Sequence, residues 1–530
     1  MSDNKEVTTI MRGALILSLS SLIAKILSAF YRIPFENLVG NIGFYVYQQV
    51  YPLYGIEMTF ALSGLPVFIS KVTVEAHDER AQWRTAQQLL VLLSGGSLLI
   101  FGGLMGLAPT LALHMGDRQL TVIIRSVAWM ILLMPILAVG RGFYQGKLNM
   151  VPTAISQVSE QVVRVGVIVG VAYYSVQHHW SVYRMGAGAM LGATIGAIVA
   201  SLVFLPLGPK ISKKVKKQQR FSYRILTKRL LTEGLVICLF AALMLILQLV
   251  DSFTVKQALV ANGMPDLVAK AVKGNYDRAQ PLVQVGTVLA VSFSATLLPS
   301  LSKALAKRDM EAFRAVSQSL IRISVTVGVA ATVGLITLMP AINTVLFKDA
   351  VLSTTLAIYC LSIVLVTLIT NYNALLQSID RVQVTVVSFL AGVMVKLLTN
   401  TILIRWLGIS GASWGTVLAL TVTLVIMLLQ LPPLVQHLLY DYRFWKKLCL
   451  AVGIMAGVTV SLMVVVQHYL QLTRLVAIGT TASGVILGGL IFIGLSLETG
   501  LLTQAEWQSL PGGTRLWTLW HNIRKKRSEQ

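Results

Sequence analysis

Residues 141–165, RGFYQGKLNMVPTAISQVSEQVVRV, decide the reading of the fold. An apolar segment ends here, a short polar turn follows, and a second apolar segment begins that carries Glu160 and Arg164. Residues four apart share one face of a helix. A soluble protein would solvate these charges. A chain in a bilayer must give them a cavity or a partner, because a charge at a helix centre costs about 2.5–3.5 kcal/mol on insertion scales. The pattern returns at residues 373–397, NALLQSIDRVQVTVVSFLAGVMVKL.

The composition around these stretches is that of a polytopic membrane protein. Of 530 residues, 55% are hydrophobic and 12% charged, with a mean hydropathy of +0.74. An ordinary soluble domain is about 25% charged. A helix needs about 20 apolar residues to cross the hydrocarbon core. By that measure roughly fourteen stretches qualify, near 10–33, 43–69, 87–113, 119–140, 153–175, 184–207, 230–252, 280–301, 315–339, 350–374, 383–404, 410–433, 447–467 and 474–497. The first is too long for a cleavable signal and is expected to stay as a transmembrane helix.

The net charge of +23 would suggest nucleic acid in a soluble protein. Here the positive-inside rule accounts for it. Roughly two thirds of the 44 Lys and Arg fall in loops that share one side. These hold Lys71, Arg80 and Arg84; Arg141 and Lys147; Lys303, Lys307, Arg308 and Arg314; and Arg443, Lys446 and Lys447. The densest is 210–229, with Lys213, Lys214, Lys216 and Lys217. The expectation is a multi-pass protein with both termini cytoplasmic, meeting anionic lipid through its basic loops and binding no nucleic acid. Cys238, Cys360 and Cys449 lie in or beside apolar runs without metal-ligand spacing and read as small core residues. There is no GxxxxGK[ST] loop and no nucleophile–base arrangement, which argues against an ATP-driven pump and against an enzyme.

The chain repeats itself. Gln145 and Gln377 are 232 residues apart, as are Thr153 and Thr385, Ser156 and Ser388, and Arg164 and Lys396. The same offset relates Ser70-Lys71 to Ser302-Lys303, each shortly after a Leu-Pro pair (Leu65-Pro66 and Leu298-Pro299). Six helices fit within the offset, an even number, so the halves point the same way as parallel repeats. The expected organisation is an N-terminal lobe over 1–209, a basic linker at 210–229 and a C-terminal lobe over 230–436. Two helices outside the repeat follow at 437–500, then a basic tail at 501–530.

The charges inside spans are the candidate functional groups, and each has a plainer reading. Lys25 lies deep in the first span, a long way to snorkel, with Arg32 two turns on near the same face. A cavity role competes with a structural ion pair. Glu160 and Arg164 form a self-neutralising i,i+4 pair, or Arg164 faces an anion that Glu160 tunes. Lys396 has Gly392 four residues before it and so has no such acid. Glu57 and Asp251 are acids that pair with a base, carry a proton or bind a cation. Arg125, Glu233 and Arg322 read as interfacial. The prolines at 66, 135, 152, 299 and 340 are tolerated helix breaks. Gly95-Gly96 and the glycines over 186–196 read as close helix packing.

Three blocks carry a family resemblance. They are residues 43–71 (GFYVYQQVYPLYGIEMTFALSGLPVFISK), residues 141–165, and residues 275–304 (NYDRAQPLVQVGTVLAVSFSATLLPSLSKA). They resemble the second helix, the fourth-to-fifth helix junction and the eighth helix of the SpoVB/YtgP-type polysaccharide biosynthesis proteins. Those proteins fall in the multidrug/oligosaccharidyl-lipid/polysaccharide exporter superfamily and are similar to lipid II flippases of the MurJ type. The resemblance implies an all-α fold of two six-helix lobes in a V around a cationic cavity, plus two helices forming a groove for the lipid tail. It also implies alternating access.

The implied substrate is an undecaprenyl-pyrophosphate-linked sugar, foremost lipid II, moved to the outer leaflet of the bacterial cytoplasmic membrane. Another undecaprenyl-linked glycan (capsule or teichoic type) and a MATE-like cation antiporter are the alternatives, and a non-transporting scaffold for cell-wall synthases is a third. Basic residues of the first helix bind pyrophosphate in family members, and Lys25 and Arg32 match those positions; Arg164 and Lys396 are further anion contacts. Flippases of the Gram-negative type place Arg in the second helix, where this chain has Glu57. Some members bind sodium through a seventh-helix acid and polar residues of the eleventh and twelfth helices, which Asp251, Asn400 and Thr416 match, without a second acid. No cofactor is expected. Coupling to Na+, H+ or the membrane potential is. The expected partners are the lipid-linked sugar, membrane lipids and cell-wall synthases.

Overall fold

The computed structural model describes residues 2–76, 78–205, 222–295, 297, 300–301, 304–305, 307–379, 381–431, 441–510 and 512–528. Lys213, Lys214, Lys216 and Lys217 of the basic linker, and Leu298, Pro299, Ser302 and Lys303 of the repeat, lie outside them. All regular structure among the described residues is helical. It divides into two compact units, Met1–Asp277 and Arg278–Gln530.

The first unit runs through α1 (Ser2–Phe30), α2 (Arg32–Thr59), α3 (Leu65–Glu75), α4 (Glu79–His114), α5 (Thr121–Ala128), α6 (Met134–Gly146), α7 (Val151–Gln177) and α8 (Val182–Leu202). It continues with α9 (Tyr223–Arg229), α10 (Leu235–Ala241), α11 (Leu243–Ala261) and α12 (Asp266–Asp277). The break between the first two spans falls inside α2 at Gly40, where φ is 70° and ψ 178°. That conformation strains any residue with a Cβ and is free for glycine. Asp78 caps α4 by accepting from the Ala81 amide, and Ser181 caps α8 by accepting from Arg184.

Two π-helical turns interrupt this unit, at Phe60–Gly64 between α2 and α3 and at Leu230–Gly234 between α9 and α10. Both end in glycine. A Cβ on Gly64 would meet the Cα of Cys238 at 2.9 Å, so the two interrupted helices touch backbone to backbone. Such turns widen a helix locally and leave backbone groups to be satisfied elsewhere.

The second unit holds α13 (Ala279–Ala295), α14 (Met310–Thr337), α15 (Met339–Phe347), α16 (Ser353–Cys360), α17 (Ser362–Ser378), α18 (Val382–Leu407) and α19 (Ser410–Leu429). After them come α20 (Tyr442–Tyr469), α21 (Arg474–Glu498), α22 (Gln504–Ser509) and α23 (Gly513–Ser528). Thr503 and Glu506 form a reciprocal capping box on α22. Arg322, expected at an interface, ties the tail to the bundle: Nη2 donates to the Leu501 carbonyl at 2.7 Å and Nη1 to Asp441 at 3.4 Å.

Twelve stretches of the described residues are long and apolar enough to cross a membrane, which makes this a multi-pass membrane protein. The expected count is fourteen. One stretch, Leu19–Glu75, takes in the later part of the first expected span and all of the second, and the expected eighth is described only as the 17 residues Ala279–Ala295.

The duplicated junction is visible in both units. α6 and α7 meet across a short turn, as do α17 and α18. Three of the pairs share one fate: Thr153, Thr385, Ser156, Ser388, Arg164 and Lys396 are all fully buried, whereas Gln145 is half-buried and Gln377 exposed. The glycines over 186–196 do serve close packing. A Cβ on Gly196 would come 2.7 Å from the Glu160 carbonyl and 3.3 Å from the Arg164 Cβ. Gly192 and Gly196 form the small-xxx-small pattern that lets membrane helices approach closely. Gly95 and Gly96 do not, because a Cβ added to either would meet no described neighbour beyond its own helix backbone within 4 Å. Cys238 and Cys360 are buried, whereas Cys449 is exposed and so is not a core residue.

Candidate functional site

α1 shows one exposed apolar face and one exposed cation away from it. Leu19, Ile23, Ile26 and Phe30 form an exposed apolar stripe, with the spacing of one helical side. Lys25 is exposed as well, but at 100° per residue it sits about 130° around the helix from that stripe. Its own side carries Ser21, which donates to the Gln157 side-chain oxygen at 3.1 Å, and the buried Ser28. Lys25 makes no hydrogen bond or ion pair with any described residue. A cation on a serine-bearing side, turned from the apolar stripe, suits contact with water or an anion rather than lipid.

Arg32 and Arg164 are held in a different way. Tyr47, Tyr51 and Tyr54 repeat at i, i+4 and i+7 along α2, so they stack on one face and are buried there with Tyr31. The Tyr31 and Tyr47 hydroxyls are 2.9 Å apart. The Arg32 guanidinium lies 4.1 Å over the Tyr51 ring. That of Arg164, reaching from α7, lies 5.1 Å from Tyr31 and 4.9 Å from Tyr54. Aromatic faces attract a desolvated cation by roughly 2 kcal/mol or more. Nη2 of Arg164 donates to the Gln161 side-chain oxygen, while its Nε and Nη1 are buried without a hydrogen-bond partner among the described residues. The Tyr spacing was the sequence signal for this cage; attention to charges alone passed over it.

Glu160 does not pair with Arg164. Its Oε2 accepts from Nη2 of Arg141 at 2.5 Å, with both side chains buried. Arg141 also donates from Nε and Nη2 to Ser156 Oγ and from Nη1 to the Ala61 carbonyl. Arg141 is therefore a core residue of α6 and not a loop charge. Its backbone position next to the turn hid this, because its partners come from α7 and the π-helical turn.

Glu57 is buried on α2, and neither carboxyl oxygen has a hydrogen-bond partner among the described residues. Asp251 on α11 accepts from the Tyr276 hydroxyl at 2.9 Å. Asp251 belongs to the first unit and Asn400 and Thr416 to the second. In the second unit Lys396 is buried. Its ammonium donates to the Ala412 carbonyl at 3.0 Å and to Thr416 Oγ1 at 2.7 Å.

Two charge networks bind α11 and its neighbours to the rest of the first unit. At one end Arg229 reaches Glu75 at 2.6 Å and Glu233 at 2.8 Å, and Lys71 reaches Glu233 at 2.8 Å. At the other end Lys256 pairs with Asp266 and donates to the Gly116 carbonyl at 2.7 Å. Lys270 there reaches Asp117 at 2.8 Å and Asp266 at 3.1 Å, and Tyr183 donates to Asp117 at 2.6 Å. The hydrogen bonds from Lys256 and Lys270 hold the Asp266 carboxyl below its ordinary pKa of 3.8. Gln49, on α2 between these ends, donates to the Ser252 carbonyl at 2.5 Å.

The chain is similar to known proteins along most of its length. Residues 10–305 match a family described as polysaccharide biosynthesis protein. The chain is 34% identical to the uncharacterized membrane protein YabM of Bacillus subtilis over 522 residues, 96% of each chain. It is 25% identical to the lipid II flippase MurJ of the same organism, covering 95% of this chain and 98% of that one. A solved structure of lipid II flippase MurJ in an inward closed conformation superposes with a TM-score of 0.69 at 13% identity, over 91% of this chain and 98% of the other.

Proposed function

Because the chain belongs to the polysaccharide biosynthesis protein family, we propose that it is a flippase for a lipid-linked glycan, and that the glycan is lipid II. The lipid II assignment leans on the similarity to MurJ along nearly the whole chain. The observation that carries the site is Lys25, the exposed cation on the serine side of α1 that no described residue neutralises. A pyrophosphate-linked sugar cannot cross hydrocarbon unaided. Charge-assisted hydrogen bonds to its phosphates offset part of the desolvation cost. Lys25 is the first contact. Arg32 and Arg164 lie behind the tyrosines of α2 and reach an anion only when that packing opens.

The two charge networks fit alternating access within this reading. They lie at opposite ends of the α9–α11 segment, and each joins that segment to helices of the N-terminal part. One opens while the other holds. Glu57, with two bare oxygens in a membrane helix, is the coupling residue and takes up a proton or a small cation. Both termini are cytoplasmic, as the loop charges favour. Cell-wall synthases are the protein partners in this scheme.

The deciding experiment makes this chain the sole flippase of a cell and then depletes it. Lipid II accumulating in the inner leaflet supports the proposal. Loss of only a capsule or teichoic-type surface polymer, with lipid II still externalised, replaces lipid II by another undecaprenyl-linked glycan.

A further inference from the structure

The second unit contains a small oxygen-lined site already filled by a cation of the chain itself. Lys396 on α18 sends its ammonium to α19, where the Ala412 carbonyl and the Thr416 hydroxyl accept from it at 3.0 Å and 2.7 Å. Thr416 Oγ1 also lies 3.2 Å from the same carbonyl, so the two oxygens belong to one turn and converge on one point. Asn400 is one turn from Lys396 on the same face of α18. Gly415 marks where the groups meet: a Cβ there would come 2.7 Å from the Asn400 side-chain oxygen and 3.6 Å from the Lys396 ammonium. Lys396, Asn400 and Thr416 are all fully buried.

A carbonyl and a hydroxyl oxygen on one positive charge, with the Asn400 side chain one turn away, are ligands of the kind a hard cation takes. An ammonium has three donors to satisfy and uses the same kind of oxygens. The two compete for one space. The two oxygens that accept from Lys396 are neutral.

We propose that Lys396 is a tethered cation: its ammonium occupies a site that a free Na+ would otherwise fill, and the wild-type chain binds no Na+ there. This assigns Lys396 away from direct contact with the anionic substrate, and it stands whether or not the transported lipid is lipid II. It also gives the duplicated positions a common logic. Arg164 rests its charge on tyrosine faces and Lys396 on neutral oxygens, so each unit carries one fixed positive charge at the same place in its repeat.

The test compares thermal unfolding of the purified full chain in NaCl and in choline chloride at equal ionic strength. Wild-type protein is expected to unfold at the same temperature in both. Lys396→Asn and Lys396→Met, which remove the charge and leave the oxygens, should gain a Na+-dependent rise in Tm of about 2–4 °C. Adding Thr416→Val should abolish that gain. A Na+-specific rise in the wild type that Thr416→Val removes would overturn the proposal, and this arm needs neither Lys396 variant to fold. Folded Lys396 variants without any Na+ response would overturn it too.

Discussion

Nη2 of Arg141 donates to Oε2 of Glu160 at 2.5 Å, and both side chains are buried between α6, α7 and the π-helical turn at Phe60–Gly64. The pair is supported on the arginine side by Ser156 and the Ala61 carbonyl. Removing one member leaves a buried charge without its partner, at a cost of about 3–5 kcal/mol. Arg141→Met and Glu160→Met should each lower stability by that order. The double variant should lose much less than the sum, because it strands no charge. Unfolding of the three purified proteins checks this. Additive losses would show that the pair is not a unit.

Gly196 decides how closely α8 approaches the Glu160–Arg164 turn of α7. A methyl group there would sit 2.7 Å from the Glu160 carbonyl, so backbone must move. Gly196→Ala is expected to destabilise by about 1–3 kcal/mol, the usual cost of overpacking. Gly95→Ala on α4 has open space and should change stability by no more than about 0.5 kcal/mol. Thermal melts of the two variants in one detergent measure the contrast. Equal effects would remove the packing argument.

Much of this was readable in the sequence, and the reasons differ from residue to residue. The repeat was legible because identical residues at one offset, such as Thr153 and Thr385, serve one buried turn in both units. The all-helical membrane fold followed from apolar length alone. The partner of Glu160 was not legible. Local spacing favours Arg164 at i+4, but the arginine that binds it is 19 residues away and faces it only once α6 packs on α7. The partners of Lys396 were hidden for a similar reason, since the two oxygens that accept from it are 16 and 20 residues distant on the next helix.

The network at Asp266 makes a signed pH prediction. Its carboxyl is held below the ordinary 3.8 by hydrogen bonds from Lys256 and Lys270. A depressed folded pKa means that the unfolded chain binds more protons in acid. The stabilisation is therefore present above the unfolded value and is lost as pH falls through the folded one. Asp266→Asn should flatten this part of the acid limb of stability between about pH 5 and pH 3. Unfolding temperatures of wild type and variant across that range test it. Parallel acid limbs would show that Asp266 carries no such linkage.

Lys25 and Arg164 are both cations of the first unit, but their surroundings assign them different work. Lys25 is exposed and makes no hydrogen bond or ion pair with any described residue, so replacing it should cost the fold little. Lys25→Ala is expected to keep the wild-type Tm within about 2 °C while lipid II externalisation falls at least tenfold. Lys25→Arg should restore most of it. Arg164 is packed between Tyr31 and Tyr54, where a planar guanidinium fits and an ammonium does not. Arg164→Lys should therefore lower Tm by several degrees as well as reduce transport. Measuring both properties for both variants separates a substrate contact from a structural cation. If Lys25→Ala supports normal growth and normal externalisation as the sole flippase, Lys25 does not bind the headgroup and the site must be sought elsewhere in the unit.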